Sequence, residues 1–366
     1  MESVDEVKKH LLDRINVGAA QASKAIEAVL KMVIQDYLVA PTAMHFSSQG
    51  DRLLLYYPNG NQVKIHPHAI GQLLARAELP QGLLTSCTRE GAWAINTLAC
   101  ILDDFYKNKK FAFKESERHV FLHRIVDEEL RGFMSRRFNV HFATAGMVRT
   151  FASAAIRNGC TPAEAVTTDV RFALKALLPT PVRAGKEFLA FGVEFSNSDF
   201  GVGKTKISMF FYRTNSKSYI TCDEGMSRVH LGRILEDSDI EVNTEAARKE
   251  AEAINSAIDS TVDSLMNAEA ISKMVDLIDQ AAEAHISWHT TKKKLSALLS
   301  KGELAAMEGM VALPRPDLPT IEKGASVEDT DVTKWWVSSV LSTLAEQEKE
   351  PDRKLELQRM AGSWVV

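Results

Sequence analysis

Apolar residues in the first forty positions recur at three- and four-residue steps: Leu11, Leu12, Ile15, Val17, Ala22, Ile26, Val29, Leu30, Val33 and Ile34. That period is one face of an α-helix, predicted over residues 4 to 38 and closed by Pro41. Two short apolar runs around Pro58-Asn59-Gly60-Asn61, residues 52 to 57 and 62 to 65, predict a β-hairpin, with Asn-Gly as its turn. Short helices are expected at 69 to 77 and 90 to 105. A strand follows at 118 to 125, then helices at 127 to 138 and 143 to 157. Thr161-Pro162-Ala163-Glu164 combines a capping-box spacing with Pro at the first helical position, so a further short helix is expected to start there.

Strict alternation then takes over. Arg171, Ala173, Lys175 and Leu177 share one face, opposite Phe172, Leu174, Ala176 and Leu178. Residues 188 to 195, 206 to 213 and 219 to 222 alternate likewise, each pair joined by a turn containing Gly, Pro or Ser. A 3.6-residue stripe running through Ile254, Ile258, Val262, Leu265, Ile271, Met274 and Ile278 predicts one long helix over 244 to 286. Pro314-Arg315-Pro316-Asp317-Leu318-Pro319 and Glu328-Asp329-Thr330-Asp331 are linker-like, and a helix with Trp335 and Trp336 follows, interrupted by Pro351. The expected fold class is α+β: a central antiparallel meander of three to four strands followed by a long helix, with flanking helices and an N-terminal β-hairpin. Three segments are expected: an N-terminal helical region with the hairpin (1–106), a basic α+β core with the long helix (107–310), and an acidic linker with a helical end (311–366). There is no internal repeat.

With 366 residues, 45% hydrophobic and 25% charged, the chain belongs among globular proteins rather than disordered or collagen-like ones. No apolar run reaches the ~18 residues of a membrane helix, and residues 1 to 6 lack the basic start of a signal peptide. Cys87, Cys100, Cys160 and Cys222 are scattered, with no CxxC pair, so reduced thiols and a cytoplasmic location are expected.

The net charge of -4 argues against a nucleic-acid partner until it is divided along the chain. Residues 1–106 carry -2, residues 107–233 carry +9 and residues 234–366 carry -11. A segment of +9 makes a positive surface that attracts phosphate. The acidic third is then a candidate protein-binding region; alternatively, the two halves neutralise each other inside one fold.

Most chemical motifs fail their own spacing. Gly201-Val202-Gly203-Lys204-Thr205 echoes a phosphate-binding P-loop, but Ser198 stands where the first Gly is required, and the loop joins two strands instead of a strand and a helix. It reads better as a glycine-rich turn. The histidine pairs His66/His68, His119/His123 and His285/His289 lack the Glu of a zinc-protease motif and any nearby cysteine. No GxSxG is present. The carboxylates Asp103-Asp104 and Asp127-Glu128-Glu129 would suit a metal-dependent nuclease only if they converged, and adjacent carboxylates on a helix point to different faces. Neither an enzyme nor a cofactor is expected. What remains is basic residues interleaved with aromatics: Arg131, Arg136, Arg137 and Arg149 beside Phe133, Phe138, Phe142 and Phe151, then Arg171, Lys175, Lys204, Lys206, Arg213 and Lys217 on or around the meander. Cations neutralise phosphates and aromatic faces stack on unpaired bases. The plain alternative is a buried aromatic core with a wetted charged side.

Four stretches together resemble an uncharacterised family of phage- and plasmid-like proteins. They are Ile65-His66-Pro67-His68-Ala69-Ile70-Gly71-Gln72-Leu73, Gly192-Val193-Glu194-Phe195-Ser196-Asn197-Ser198-Asp199-Phe200-Gly201, Cys222-Asp223-Glu224-Gly225-Met226 with His230-Leu231-Gly232, and residues 353 to 362. Family members often carry Cys-x-Asn-Gly where this chain has Cys222-Asp223-Glu224-Gly225. The resemblance implies a mobile-element origin and no defined activity. In architecture, a basic meander followed by a long helix and an acidic tail looks like phage single-strand annealing proteins of the RecT and Redβ type. That likeness implies a homo-oligomeric ring or filament that clamps single-stranded DNA, or RNA, without ATP and recruits a protein partner through its C-terminal region. The expected function is therefore non-enzymatic single-strand binding and annealing in the cytoplasm of a phage- or plasmid-bearing host. A host-directed protein-binding role and a nuclease are the alternatives.

Overall fold

The computed structural model describes residues 4–108, 120–185, 187–230, 235, 245–311 and 331–366. Helix α1 (Val4–Lys31) is followed by strands β1 (Gln35–Val39), β2 (His45–Gln49), β3 (Arg52–Tyr56) and β4 (Gln62–Ile65). Helices α2 (Pro67–Arg76), α3 (Leu83–Glu90) and α4 (Ala92–Lys107) precede the hairpin β5 (Phe121–Val126) and β6 (Glu129–Ser135). These strands form one sheet, ordered β1-β5-β6-β4-β3-β2, antiparallel except for the β4–β6 pair. One side of it packs Leu53, Leu55, Ile65, Phe121 and Phe133 against Leu73, Leu98 and Leu102 of the helices.

A second sheet is antiparallel throughout: β7 (Thr161–Thr167), β8 (Phe172–Leu177), β9 (Val182–Ala184), β10 (Glu187–Asn197), β11 (Thr205–Arg213) and β12 (Ser218–Arg228). Its order is β12-β11-β10-β8-β7, with β9 also on β10. The meander over 170 to 222 is thus present, and the fold class is α+β. Helix α5 (Thr144–Arg157) lies before this sheet, and α6 (Glu245–Leu265), α7 (Ala268–Glu283), α8 (Trp288–Leu295), α9 (Lys301–Val311), α10 (Lys334–Gln347) and α11 (Pro351–Gly362) come after it. Strands β13 (His285–Ser287) and β14 (Asp331–Thr333) pair beside them.

Four expected elements come out differently. Residues 127 to 138 are not helical: Asp127 and Glu128 both have positive φ, 51° and 61°, and form the tight turn of the β5–β6 hairpin. The apolar spacing Leu130, Phe133, Met134 is that of a helix face, and pairing with β5 overrides it. Thr161-Pro162-Ala163-Glu164 starts edge strand β7 instead of a helix, and Pro162 sits beside an irregularity in the β7–β8 register. The N-terminal helix ends at Lys31, because residues 35 to 39 pair with β5. The long helix breaks at Asn267, whose side chain accepts from Ala270 N at 2.8 Å and caps α7. The linkers at 314–319 and 328–330, the start of the strand expected at 118 to 125, His119, Leu231 and Gly232 lie outside the described residues.

The expected segment limits at 106/107 and 310/311 do not coincide with limits between cores. Phe121, Ile125, Leu130 and Phe133 join the first core, whereas Ala22 and Val29 of α1 join the second, which also takes in Val311 and Leu341.

Candidate functional site

The second sheet has two unlike faces, set by alternation. Phe172, Leu174, Phe191, Val193, Phe195, Ile207, Met209 and Phe211 face the main core with α5, α6 and α7. On the other face, one end is apolar: Leu177, Ala190, Phe210, Tyr212 and Tyr219 pack on Leu11 and Ile15 of α1. Toward the opposite end, strand register aligns Lys175, Glu194, Ser208 and Gly225 in one row, and Ala173, Ser196, Lys206 and Ser227 in the next.

Helix α11 crosses this polar half at close range. A Cβ at Gly362 would lie 2.0 Å from the Thr221 carbonyl oxygen, so only glycine admits the approach. Its Arg359 donates to Glu194 at 2.8 Å and Ser196 at 2.9 Å. Glu194 also faces Lys175 Nζ at 3.1 Å and accepts from Thr221 at 3.2 Å. Burial alone would raise the Glu194 carboxyl, but Lys175 and Arg359 outweigh it and hold it at about 2. Asp352, in the first turn of α11, holds the Arg171 guanidinium.

Beyond that row the face opens into a cavity of about 450 Å³, lined by Arg171, Lys204, Lys206 and Arg359 with Ser196, Asn197, Ser208 and Ser227. Its lining contains four cations and no carboxylate. The turn over it, residues 198 to 204, is the glycine-rich stretch that fails as a P-loop, and it joins two strands as expected. Gly201 and Gly203 take φ of 80° and 79°, where a side chain would strain the backbone. Ser198 Oγ donates to the Val170 carbonyl at 2.6 Å and accepts from Phe200 N and Val202 N at 3.1 and 3.0 Å.

The first sheet's helix clamps the same turn. His68 Nε2 and Gln72 Nε2 each lie 2.9 Å from the Phe200 carbonyl, while Gln72 Oε1 accepts from Phe133 N at 2.7 Å. Below it, Asn197 Oδ1 accepts from Thr205 at 2.7 Å and contacts His230 Nε2 at 2.6 Å. Burial lowers the His230 imidazole to about 4, so it is neutral at ordinary pH. Arg124 binds Asp36 through Nε at 2.8 Å and Nη2 at 3.0 Å, and donates from Nη1 to the Asp199 carbonyl at 2.8 Å, locking sheet to sheet. The stretches 65–73, 192–201, 222–230 and 353–362 therefore meet around one turn. Arg359, Asn197 and His230 belong to this site, although no charge or spacing rule singled out Arg359 or Asn197.

The ten expected cations do not form one surface. Arg171, Lys204 and Lys206 share the cavity, and Arg131 lies beside Arg171 in an adjoining cleft, ion-paired with Glu129 at 3.3 Å. Arg136 and Arg137 occupy the turn after β6, Arg137 exposed; Arg149 is exposed on α5. Lys217 is exposed in the turn after β11, and Arg213, at the end of β11, is paired to Glu187 at 2.7 Å; by strand rise Arg213 lies about 17 Å beyond Ser208 of the cavity lining. Lys175 is 1% exposed and cannot touch a ligand backbone; it is a structural partner of Glu194. Phe133, Phe138, Phe142 and Phe151 are core residues, so the aromatic half of the pattern offers no stacking surface.

Asp103 is engaged by Lys107 at 2.7 Å and His45 at 2.8 Å, and no group of three metal-ligating side chains converges among the described residues. No helix among them is long and apolar enough to cross a membrane. Comparison with protein-family models, with curated proteins and with solved structures finds no match to this chain.

Proposed function

We propose that this protein binds single-stranded nucleic acid electrostatically, without catalysis, and anneals complementary strands. The observation that carries the proposal is the cavity at the open end of the meander, with four cations and no carboxylate in its lining. Phosphate is the ligand class that such a lining stabilises, because each oxygen meets a charge-assisted donor. No aromatic ring lines the cavity, so the strand is held by its backbone and its bases stay free to pair. That is the property an annealing protein needs. A homo-oligomeric ring or filament, DNA as the natural strand and a phage or plasmid origin belong to the same proposal.

The test is a titration of the full chain against fluorescent single-stranded and duplex oligonucleotides at low and moderate salt, with the mass of the free and bound protein recorded. Salt-sensitive binding to single strands, faster pairing of complementary strands and an intact shifted band in Mg²⁺ are expected. Absence of binding at low salt overturns the proposal, and degradation of the strand overturns the non-enzymatic part.

A further inference from the structure

The geometry points to more than backbone contact: the cavity beneath the 198–204 turn is a phosphomonoester site, which takes the terminal phosphate of a strand. The choice of a strand end as the source rests on the function proposed above; the phosphomonoester chemistry does not.

Three observations converge. First, the cavity has a floor. Ser196, Lys206 and Ser227 lie side by side across three paired strands, Arg171 and Arg359 form the walls, and the turn carrying Lys204 is the roof. At about 450 Å³ it is the size of a nucleotide-scale pocket. Second, its donors suit a dianion: Arg171 and Arg359, although paired to Asp352 and Glu194, line the cavity beside Lys204 and Lys206. An internal phosphate has one charge and two ester substituents, whereas a terminal phosphate has three free oxygens and a charge of about -1.5 to -2 at neutral pH. Four cationic side chains and three serine hydroxyls provide donors enough for three free oxygens.

Third, the two arginines are fixed in place before any ligand arrives. Arg359 is aimed by Glu194, a carboxylate 1% exposed and itself buttressed by Lys175. Arg171 is held by Asp352 from the start of the same helix. A donor positioned by a buried partner, as Arg359 is by Glu194, loses little entropy on binding, which is how a built anion site differs from surface lysines. One wall residue, Arg359, and Asp352, which holds the other, come from α11, in the acidic third of the chain, so the cavity is complete only when that helix is docked.

Oligonucleotides of one sequence decide it, carrying a 5′-phosphate, a 3′-phosphate or hydroxyls at both ends, each titrated against the full chain. Inorganic phosphate and a nucleoside 5′-monophosphate serve as competitors and as probes in thermal melts. One phosphorylated end is expected to bind about tenfold more tightly than the hydroxyl-ended strand, the scale of one added charge-assisted contact. Lys204→Gln, in the exposed turn, and Lys206→Gln weaken all three strands and bring the ratio between phosphate and hydroxyl ends close to one. Equal binding of phosphate and hydroxyl ends overturns the site while leaving strand binding intact. If no oligonucleotide binds but the monophosphate raises the melting temperature in wild type and not in K204Q, the site stands and strand binding falls. If neither strand ends nor free phosphates respond to these substitutions, the site is refuted.

Discussion

Glu194 lies between Lys175 Nζ at 3.1 Å and Arg359 Nη2 at 2.8 Å, under α11 and out of water. Removing its charge leaves Lys175 buried against neutral atoms, so Glu194→Gln is expected to cost about 3–5 kcal/mol in urea denaturation. The double variant Glu194→Leu/Lys175→Met, which removes both buried charges, is expected to lose less. The folded Glu194 carboxyl sits at about 2, below its ordinary 4.5, so its contribution is complete above 4.5 and is lost as pH falls toward 2. His230 and His123 fail earlier. Burial depresses them from 6.5 to about 4 and about 3, so the unfolded chain takes up protons first, and stability declines as pH falls below 6.5. Melting temperatures at a series of pH values between 7 and 4 test this; a flat profile contradicts it, and His230→Gln is expected to blunt the slope. At this scale the sequence is legible only in part. Alternation puts Arg171 and Lys175 on one face, as observed, but which of the two a distant helix covers is not written in either residue's neighbours.

Two elements approach the second sheet so closely that a methyl group decides whether they dock. A Cβ at Gly18 of α1 would lie 1.6 Å from the Ala163 carbonyl oxygen of β7, and one at Gly362 of α11 would lie 2.0 Å from that of Thr221. Backbone cannot yield as a side chain can, so Gly18→Ala and Gly362→Ala are each expected to cost about 1–3 kcal/mol. Limited proteolysis separates the two outcomes: G18A exposes the first helix, whereas G362A loosens α11 and, by releasing Arg359, weakens binding to the cavity. The periodicity of α5, α2 and the β3–β4 hairpin was readable because each fits one period and carries its own caps or turn. The 127 to 138 and 161 to 164 stretches were not. Their local signals agree with a helix, and pairing with β5 and docking of α1 override them.

Across the whole molecule, the acidic third supplies partners to the basic segment. Arg157 meets Asp259 and Asp263, Arg171 meets Asp352, and Asn139 meets Glu250. The +9 segment is thus partly neutralised inside the fold, and its other cations are divided between the cavity and separate exposed positions such as Arg137, Arg149 and Lys217. Binding is therefore expected to involve about two phosphate-neutralising charges, because Arg171 and Arg359 already share theirs with Asp352 and Glu194. By counterion release from a single strand, affinity should fall roughly sevenfold between about 50 and about 200 mM salt. Fluorescence anisotropy at the two salt concentrations measures it, and an affinity indifferent to salt contradicts an electrostatic interface.

The sequence by itself determined the fold class, the alternating strands of the meander, the β3–β4 hairpin and the division of charge. Those properties follow from periodicity and counting, which are local. Only the tertiary structure decided which cations reach a ligand. Lys175 and Arg171 are four residues apart on one strand face, yet one is sealed beneath α11 and the other lines a cavity whose opposite wall is Arg359, nearly two hundred positions away in the chain. Burial depends on what packs above a residue, and that is fixed by long-range docking through Gly18, Gly362 and the 198–204 turn, not by any pattern the residue itself belongs to.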